Sequence, residues 1–234
     1  MRAGKEPGRM KDYKYIFFDL DGTLSDSSEG IISCVKHTLS GFGISEERED
    51  VLRGYIGPPL KERFIELYGV NDVTAEAMMK RYREKYEREG AYQNVLYPGI
   101  RELLLALRES GRVTGVATSK PEDTSIDILR HFGILDLFDY VCGAEKHGPR
   151  VRKDQVLLEL FKRAGIGEKE KGEAVLIGDT SYDIEGAKKT GIDAIGVSYG
   201  FGDPEKMARE GAVAIAASPE ELKIILVANA KTVC

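Results

Sequence analysis

The stretch YKYIFFDLDGTLSDS, residues 13–27, runs from an apolar, strand-like segment straight into carboxylates and hydroxyls. Asp19 and Asp21 stand two residues apart at the end of what reads as a buried strand. Charges in such a place are costly unless a partner offsets them. The identity of that partner decides how the rest of the chain is read.

Working outward, similar short apolar runs recur, each closing on small or polar residues: RVTGVATS (112–119), YVCGA (140–144), EAVLIGDT (173–180), AIGVSYG (194–200) and AVAIAAS (212–218). Nearly continuous apolar strands, as opposed to alternating ones, belong to a sheet covered on both faces. Helical patterns separate most of them, at 99–111, 122–133, 153–165 and 183–191. Strand and helix in alternation predict an α/β fold with a doubly wound parallel sheet. One stretch breaks the rhythm. Residues 28–95 read as helices only, with Ile31, Ile32, Val35 and Leu39 on one stripe, and predict a small all-helical cap domain. The expected organisation is a catalytic core of 13–27 and 96–234, a cap of 28–95, and a disordered tail of 1–12. The charged run TAEAMMKRYREKYEREG is expected to be a solvated helix face, with Met78 and Met79 in the core.

At 234 residues, 42% hydrophobic and 31% charged, the composition is that of a globular protein able to carry a core domain and a smaller one. A net charge of −5 provides no basic field for nucleic acid or anionic lipid, so neither is expected as a partner. Cys34, Cys142 and Cys234 are too scattered for a disulfide framework or a zinc site and are expected as free thiols. The charged start MRAGKEPGRMKDY has no apolar core of a secretory signal, and no apolar run reaches the ~18 residues of a membrane span. The expectation is a cytoplasmic protein, monomeric or homodimeric.

Ligands of open parallel sheets bind beyond the carboxyl ends of the strands. Three predicted strands end there in chemically capable residues: Asp19, Asp21, Gly22 and Thr23; Thr118, Ser119 and Lys120; Gly178, Asp179 and Thr180, with Asp183 one turn on. Neighbouring strand ends would gather Asp19, Asp21 and Asp179, and carboxylates so gathered repel unless a cation sits among them. A hard, oxygen-seeking ion such as Mg²⁺ suits such a set. Thr180-Ser181-Tyr182-Asp183 also fits a capping box, so Asp183 has a second, purely structural reading that can coexist with the first.

FDLDGTLSDS, the VATSK strand end and GDTSYDIEGAKKTG resemble motifs I, II and IV of the haloacid dehalogenase superfamily, over residues 13–218. The helical insertion is similar to that superfamily's C1-type cap, and IGPPL and IGVSYGFG resemble its phosphoglycolate phosphatase-like branch. The resemblance implies that Asp19 is the nucleophile, forming an aspartyl-phosphate, and that Asp21 is the acid and base. It implies phosphate binding by Gly22, Thr23, Thr118 and Ser119, and Mg²⁺ held by Asp19, the Asp21 carbonyl, Asp179 and Asp183.

The lysine of motif III lacks its usual Lys-Pro setting. In GAEKHGPRVRKDQVLLEL, Lys153 stands directly before the helix leading into motif IV and is taken as that catalytic lysine, with Lys146 as the competing choice and Arg150 and Arg152 as surface charges. The Gly57-Pro58-Pro59-Leu60 turn suits either a loop over the site or a plain connector; Arg53 suits a substrate anion or solvent. His37, His131 and His147 receive no catalytic role. The presence of Asp21 favours phosphomonoester hydrolysis over dehalogenation or the ATPase variant. A small soluble phosphate, phosphoglycolate-like, is the expected substrate. Nucleotidase, aryl-phosphate phosphatase, phosphomutase and a non-catalytic phosphate-binding regulator are the alternatives.

Overall fold

In β1 (Tyr15–Phe18) all four side chains are buried, which requires apolar cover on both faces. Ile16 and Phe18 enter one hydrophobic cluster, Tyr15 and Phe17 another, as the two-residue period of a strand dictates. The computed structural model describes residues 11–146 and 148–227. After β1 come β2 (Ser25–Asp26), α1 (Ser28–Gly41), α2 (Glu49–Arg53), α3 (Leu60–Tyr68), α4 (Asp72–Arg88) and β3 (Val95–Leu96). Then follow α5 (Ile100–Glu109), β4 (Val113–Pro121), α6 (Glu122–His131), β5 (Tyr140–Ala144), α7 (Lys153–Ala164) and β6 (Ala174–Gly178). The described chain closes with α8 (Ser181–Thr190), β7 (Asp193–Val197), α9 (Pro204–Glu210), β8 (Ala214–Ala216) and α10 (Pro219–Val227).

The main sheet has the order β5-β4-β1-β6-β7-β8 and is parallel throughout. The chain fills one side of β1 first, with β4 and β5, then returns to the other with β6. That reversal makes β1 the switch point where an open α/β sheet leaves a crevice. The register is explicit: Phe18 lies beside Val116 on one neighbour and Ile177 on the other. Asp19 therefore emerges level with Ala117 and Gly178, one residue short of Thr118 and Asp179.

Helix boundaries follow local chemistry. Gln155 Oε1 accepts from Arg152 N at 3.0 Å, so α7 begins at Lys153, and Gly165 in the left-handed region ends it. At α8, Asp183 Oδ2 accepts from Thr180 N at 3.0 Å and from Thr180 Oγ1 at 2.9 Å, so Asp183 has the helix-start role that the sequence offered as its second reading.

Between β2 and β3 the chain is helical, and its apolar stripe (Ile31, Val35 and Leu39 of α1, Phe64 of α3, Met78 of α4) continues the same cluster that holds Ile16 and Phe18. Met78 is buried, whereas Met79 only packs against that cluster's edge. The β2–β3 ribbon, which the sequence reading does not foresee, brackets that helical stretch: Ser25 pairs with Leu96 and Asp26 with Val95, antiparallel. Strands of two residues carry no periodicity that a sequence reading can register. Nor is α4 merely a solvated face, because Tyr82 and Tyr86 within its charged run are buried.

Of the expected tail, residues 1–10 lie outside the described residues, as do His147 and Cys234. Lys11 and Asp12 are described and held to the core, Lys11 to Asp193 at 2.6 Å and Asp12 to Arg112. Cys34 and Cys142 are buried free thiols. Among the described residues, no helix is long and apolar enough to cross a membrane.

Candidate active site

Three carboxylates meet beyond the ends of β1 and β6. Asp19, Asp179 and Asp183 each offer an oxygen within 4.8 Å of the others. Lys153, the first residue of α7, reaches into this group: its Nζ lies 2.8 Å from Asp19 Oδ1, 2.8 Å from Asp183 Oδ1, and donates to Ala117 O at 2.9 Å. Its side chain is 4% exposed, so these contacts are made out of bulk water, where opposite charges count most. Burial works against the ammonium, yet Asp183 and Asp19 outweigh it and raise its pKa above the usual lysine value. Burial likewise pushes Asp19 up to about 6 against the pull of Lys153. Asp179 is driven well above the carboxylate range by burial and by Asp183, with the Phe201 amide opposing.

One lysine cannot neutralise three clustered carboxylates, and this crowding of acidic groups is the observation that fits the site to a hard cation. The backbone leaves space close to the carboxylates. Gly22 adopts φ 76°, and a Cβ there would stand 2.1 Å from Asp179 Oδ2, so neither its conformation nor its position admits a side chain. Asp179 is aimed by Phe201 N, which donates to Oδ2 at 2.8 Å, and Thr23 Oγ1 lies 3.5 Å from Oδ1. Tyr199 OH donates to Thr23 O at 3.0 Å and ties the turn after β1 to the loop after β7.

Asp21 has different company. Its Oδ2 lies 3.0 Å from Lys120 Nζ, and the Lys120 hydrogen bond continues to the Tyr86 hydroxyl on α4. Asp21 Oδ1 is buried without a hydrogen-bond partner among the described residues. Two carboxylates two residues apart are thus served by two different lysines.

Thr118 is buried, and its Oγ1 accepts from Lys120 N at 3.2 Å; Ser119 is exposed. The competing basic residues engage elsewhere. Lys146 bridges Glu87 at 2.8 Å and Asp123 at 2.7 Å, Arg150 pairs with Glu122 at 3.3 Å, and Arg152 with Asp154 at 3.0 Å. Arg53 is occupied by Glu49 at 2.9 Å on the surface. His131 ends α6, exposed, against the Tyr92 ring. On the insertion, Gly57 (φ 99°) comes so close to the core that a Cβ would lie 3.3 Å from Thr180 Cγ2, which puts the Gly-Pro-Pro turn over the start of α8. From the sequence Lys120 is read only as a strand-end residue without a role, and Tyr86 is not singled out. The 3-4-4 spacing of Ala75, Met78, Tyr82 and Tyr86 was the signal available for Tyr86.

A family model for the haloacid dehalogenase-like hydrolases matches residues 16–197, from β1 through β7. The chain belongs to that family. Among its relatives, a "5'-nucleotidase" of Pseudomonas aeruginosa is 38% identical over 195 residues, 83% of this chain and 87% of its own. The "Tyrosine-protein kinase PtkA" of Mycobacterium tuberculosis is 36% identical over 95% of this chain and 75% of its own. The crystal structure of a predicted phosphatase from Clostridium acetobutylicum superposes with a TM-score of 0.85 at 39% identity, covering 91% of this chain and 97% of that one. At lower identity, 28% over 89% of this chain and 75% of its own, stands a "Phosphoglycolate phosphatase" of Pseudomonas savastanoi pv. phaseolicola. The haloacid dehalogenase-like fold, the hydrolase class and the kinship with phosphoglycolate phosphatases all agree with the sequence reading.

Proposed function

We propose that this enzyme hydrolyses phosphomonoesters of small molecules through an aspartyl-phosphate on Asp19, with Mg²⁺ in the acidic site. The carrying observation is the division of labour at the end of β1: Asp19 lies inside the acidic triad beside Lys153, while Asp21 lies outside it beside Lys120. Such separation suits one carboxylate to attack and the other to move protons.

In this reading an Asp19 oxygen attacks phosphorus, the bond from phosphorus to the ester oxygen breaks, and Asp21 gives its proton to the departing alcohol. Asp21 then takes a proton from the water that attacks the same phosphorus, and the bond to Asp19 breaks, releasing phosphate. Both Leu20 N, at 2.7 Å, and Lys153 bind Asp19 Oδ1, which supports Oδ2 as the attacking atom. Lys153 fixes the nucleophile and offsets charge, while Gly22, Thr23 and Thr118 line the space for phosphoryl oxygens. Asp19, the Asp21 carbonyl, Asp179 and Asp183 would hold Mg²⁺, which would screen the phosphate dianion from the attacking carboxylate.

Phosphoglycolate is the leading substrate, on the kinship with enzymes of that name. Nucleoside monophosphates are the second reading, favoured by the higher identity of the nucleotidase relative. The test is phosphate release from a panel of phosphoglycolate, nucleoside monophosphates, sugar phosphates, phosphotyrosine and p-nitrophenyl phosphate, with Mg²⁺ and with chelator. Acid-quenched wild type should carry substrate phosphate that Asp19→Asn lacks. Turnover undiminished by chelator, or equal labelling of the variant, would overturn the reading.

A further inference from the structure

Lys120 closes the VATSK strand end as a nearly buried cation, its side chain 7% exposed, and it lies outside the acidic triad. It spans two parts of the molecule. On the core it pairs with Asp21 Oδ2 at 3.0 Å. On the insertion it meets Tyr86 twice, by the hydrogen bond to the hydroxyl and by its position 4.5 Å from the ring centroid. Tyr86 is itself fixed: it is buried in α4, and its ring stacks on Tyr82 with centroids 5.4 Å apart and planes 13° from parallel.

A lysine on its four-carbon stem has many rotamers, and one ion pair leaves much of that freedom intact. The stacked tyrosine removes it. With Lys120 held, Asp21 is gripped through Oδ2, and Oδ1, buried and without a partner among the described residues, is the oxygen left to face the leaving group. Tyr86, which holds Lys120, belongs to the insertion, so the orientation of Asp21 depends on α4 being docked.

We infer that Tyr86 is a positioning residue for the proton-transferring carboxylate: through Lys120 it aims Asp21, and it makes proton delivery to the leaving alcohol conditional on closure of the helical insertion. This rests on the proposed phosphatase reading.

The test exploits the leaving group. Departure of an alkoxide needs the Asp21 proton, whereas p-nitrophenolate departs without one. The comparison is kcat/KM for an alkyl monoester of the panel against p-nitrophenyl phosphate, because hydrolysis of the intermediate, which follows the first irreversible step, does not enter kcat/KM. Tyr86→Phe keeps the ring, the stack and the cation contact and deletes only the hydroxyl. The alkyl-to-aryl ratio of kcat/KM should fall at least about tenfold, on the scale of lost outer partners of a catalytic group. Lys120→Met should lower the same ratio further, toward the ~100-fold of a lost proton donor. A ratio unchanged in Tyr86→Phe, whether both esters lose equally or neither loses, overturns the inference and makes the contact a packing feature. A wild type inactive on both esters would instead remove the phosphatase reading beneath it.

Discussion

The floor of the site and its ceiling are built on different principles. The floor is a set of strand ends. Asp19, Thr118 and Asp179 are adjacent because β4, β1 and β6 are in register, and nothing else about them needs to be right. The ceiling is a helical insertion that shares an apolar cluster with the floor but meets its polar groups through isolated contacts: Tyr86 on Lys120, Glu87 on Lys146, Gly57 above Thr180. A sheet fixes position to a fraction of an ångström through backbone bonds. A docked helix fixes it through side chains that can let go. The floor should therefore tolerate no change at its charged positions, and the ceiling should tolerate many.

The sharpest way to break that contrast is at the nucleophile. Asp19→Asn should lower kcat by more than about 100-fold in a phosphate-release assay, the scale expected when an attacking group is lost. Its unfolding temperature should hold or rise, since one of three crowded carboxylates becomes neutral. Retained turnover would move the nucleophile off β1.

Next comes the buried cation. Lys153→Ala should cut kcat/KM by about 100-fold or more, as for other preorganised charges. Lys153→Arg should recover little, because a planar fork does not replace a compact ammonium between two carboxylates. Lys146→Ala should change kcat/KM less than about threefold, because its partners Glu87 on α4 and Asp123 on α6 lie outside the acidic triad. The opposite ranking would mean that the loop before α7 rearranges on binding.

Metal titrations separate the two acidic residues after β6. Asp179→Ala should raise the Mg²⁺ concentration for half-maximal rate sharply. Asp183→Ala should raise it by about 10–100-fold, because Asp183 also caps α8 and binds Lys153, so part of its effect is orientation. Equal Mg²⁺ curves for both variants and wild type would place the ion elsewhere.

Stability should report the same cluster. Burial lifts Asp19 to about 6, above the ordinary unfolded value of about 3.9. Between those values the fold binds a proton that the unfolded chain does not, so chelator-treated protein should gain stability as pH falls from about 6 toward 4. Mg²⁺ favours the ionised form, so its increment in unfolding temperature should be largest near pH 8 and shrink toward pH 5. An increment independent of pH would detach the ion from these carboxylates.

The smallest effect belongs to the ceiling. Gly57→Ala forces a side chain into φ 99° and against Thr180, at about 1 kcal/mol. It should alter KM and substrate ranking while leaving kcat on the best substrate within about threefold. A collapse of kcat would show that the Gly-Pro-Pro turn belongs to the floor after all.

The same contrast explains what was legible in the sequence. Asp19, Asp21 and Asp179 could be read because a parallel sheet puts its strand ends in one place, and Lys153 because it stands just ahead of the helix in KDQVLLEL, where the resemblance to the family puts its motif III lysine. Lys120 stood in plain view after Thr118 and Ser119, but its direction depends on the bend at the end of β4, where the pairing with β5 shifts register between Ala117 and Pro121. Tyr86 was hidden in a run of charges whose polar face dominates the pattern. The β2–β3 ribbon, two residues a side, and α9, with Met207 its only buried residue, are too short for any period to show.

That ribbon has a consequence for how such a molecule can change over generations. The chain leaves for the ceiling at Asp26 and returns at Val95, and these residues are paired across adjacent antiparallel strands. Antiparallel neighbours can be joined by a two-residue turn. Everything between them is therefore a cassette with a single doorway, and a longer, shorter or unrelated lid can be spliced there without moving one strand of the sheet. Selectivity can drift at that doorway while the chemistry beneath stays as it is.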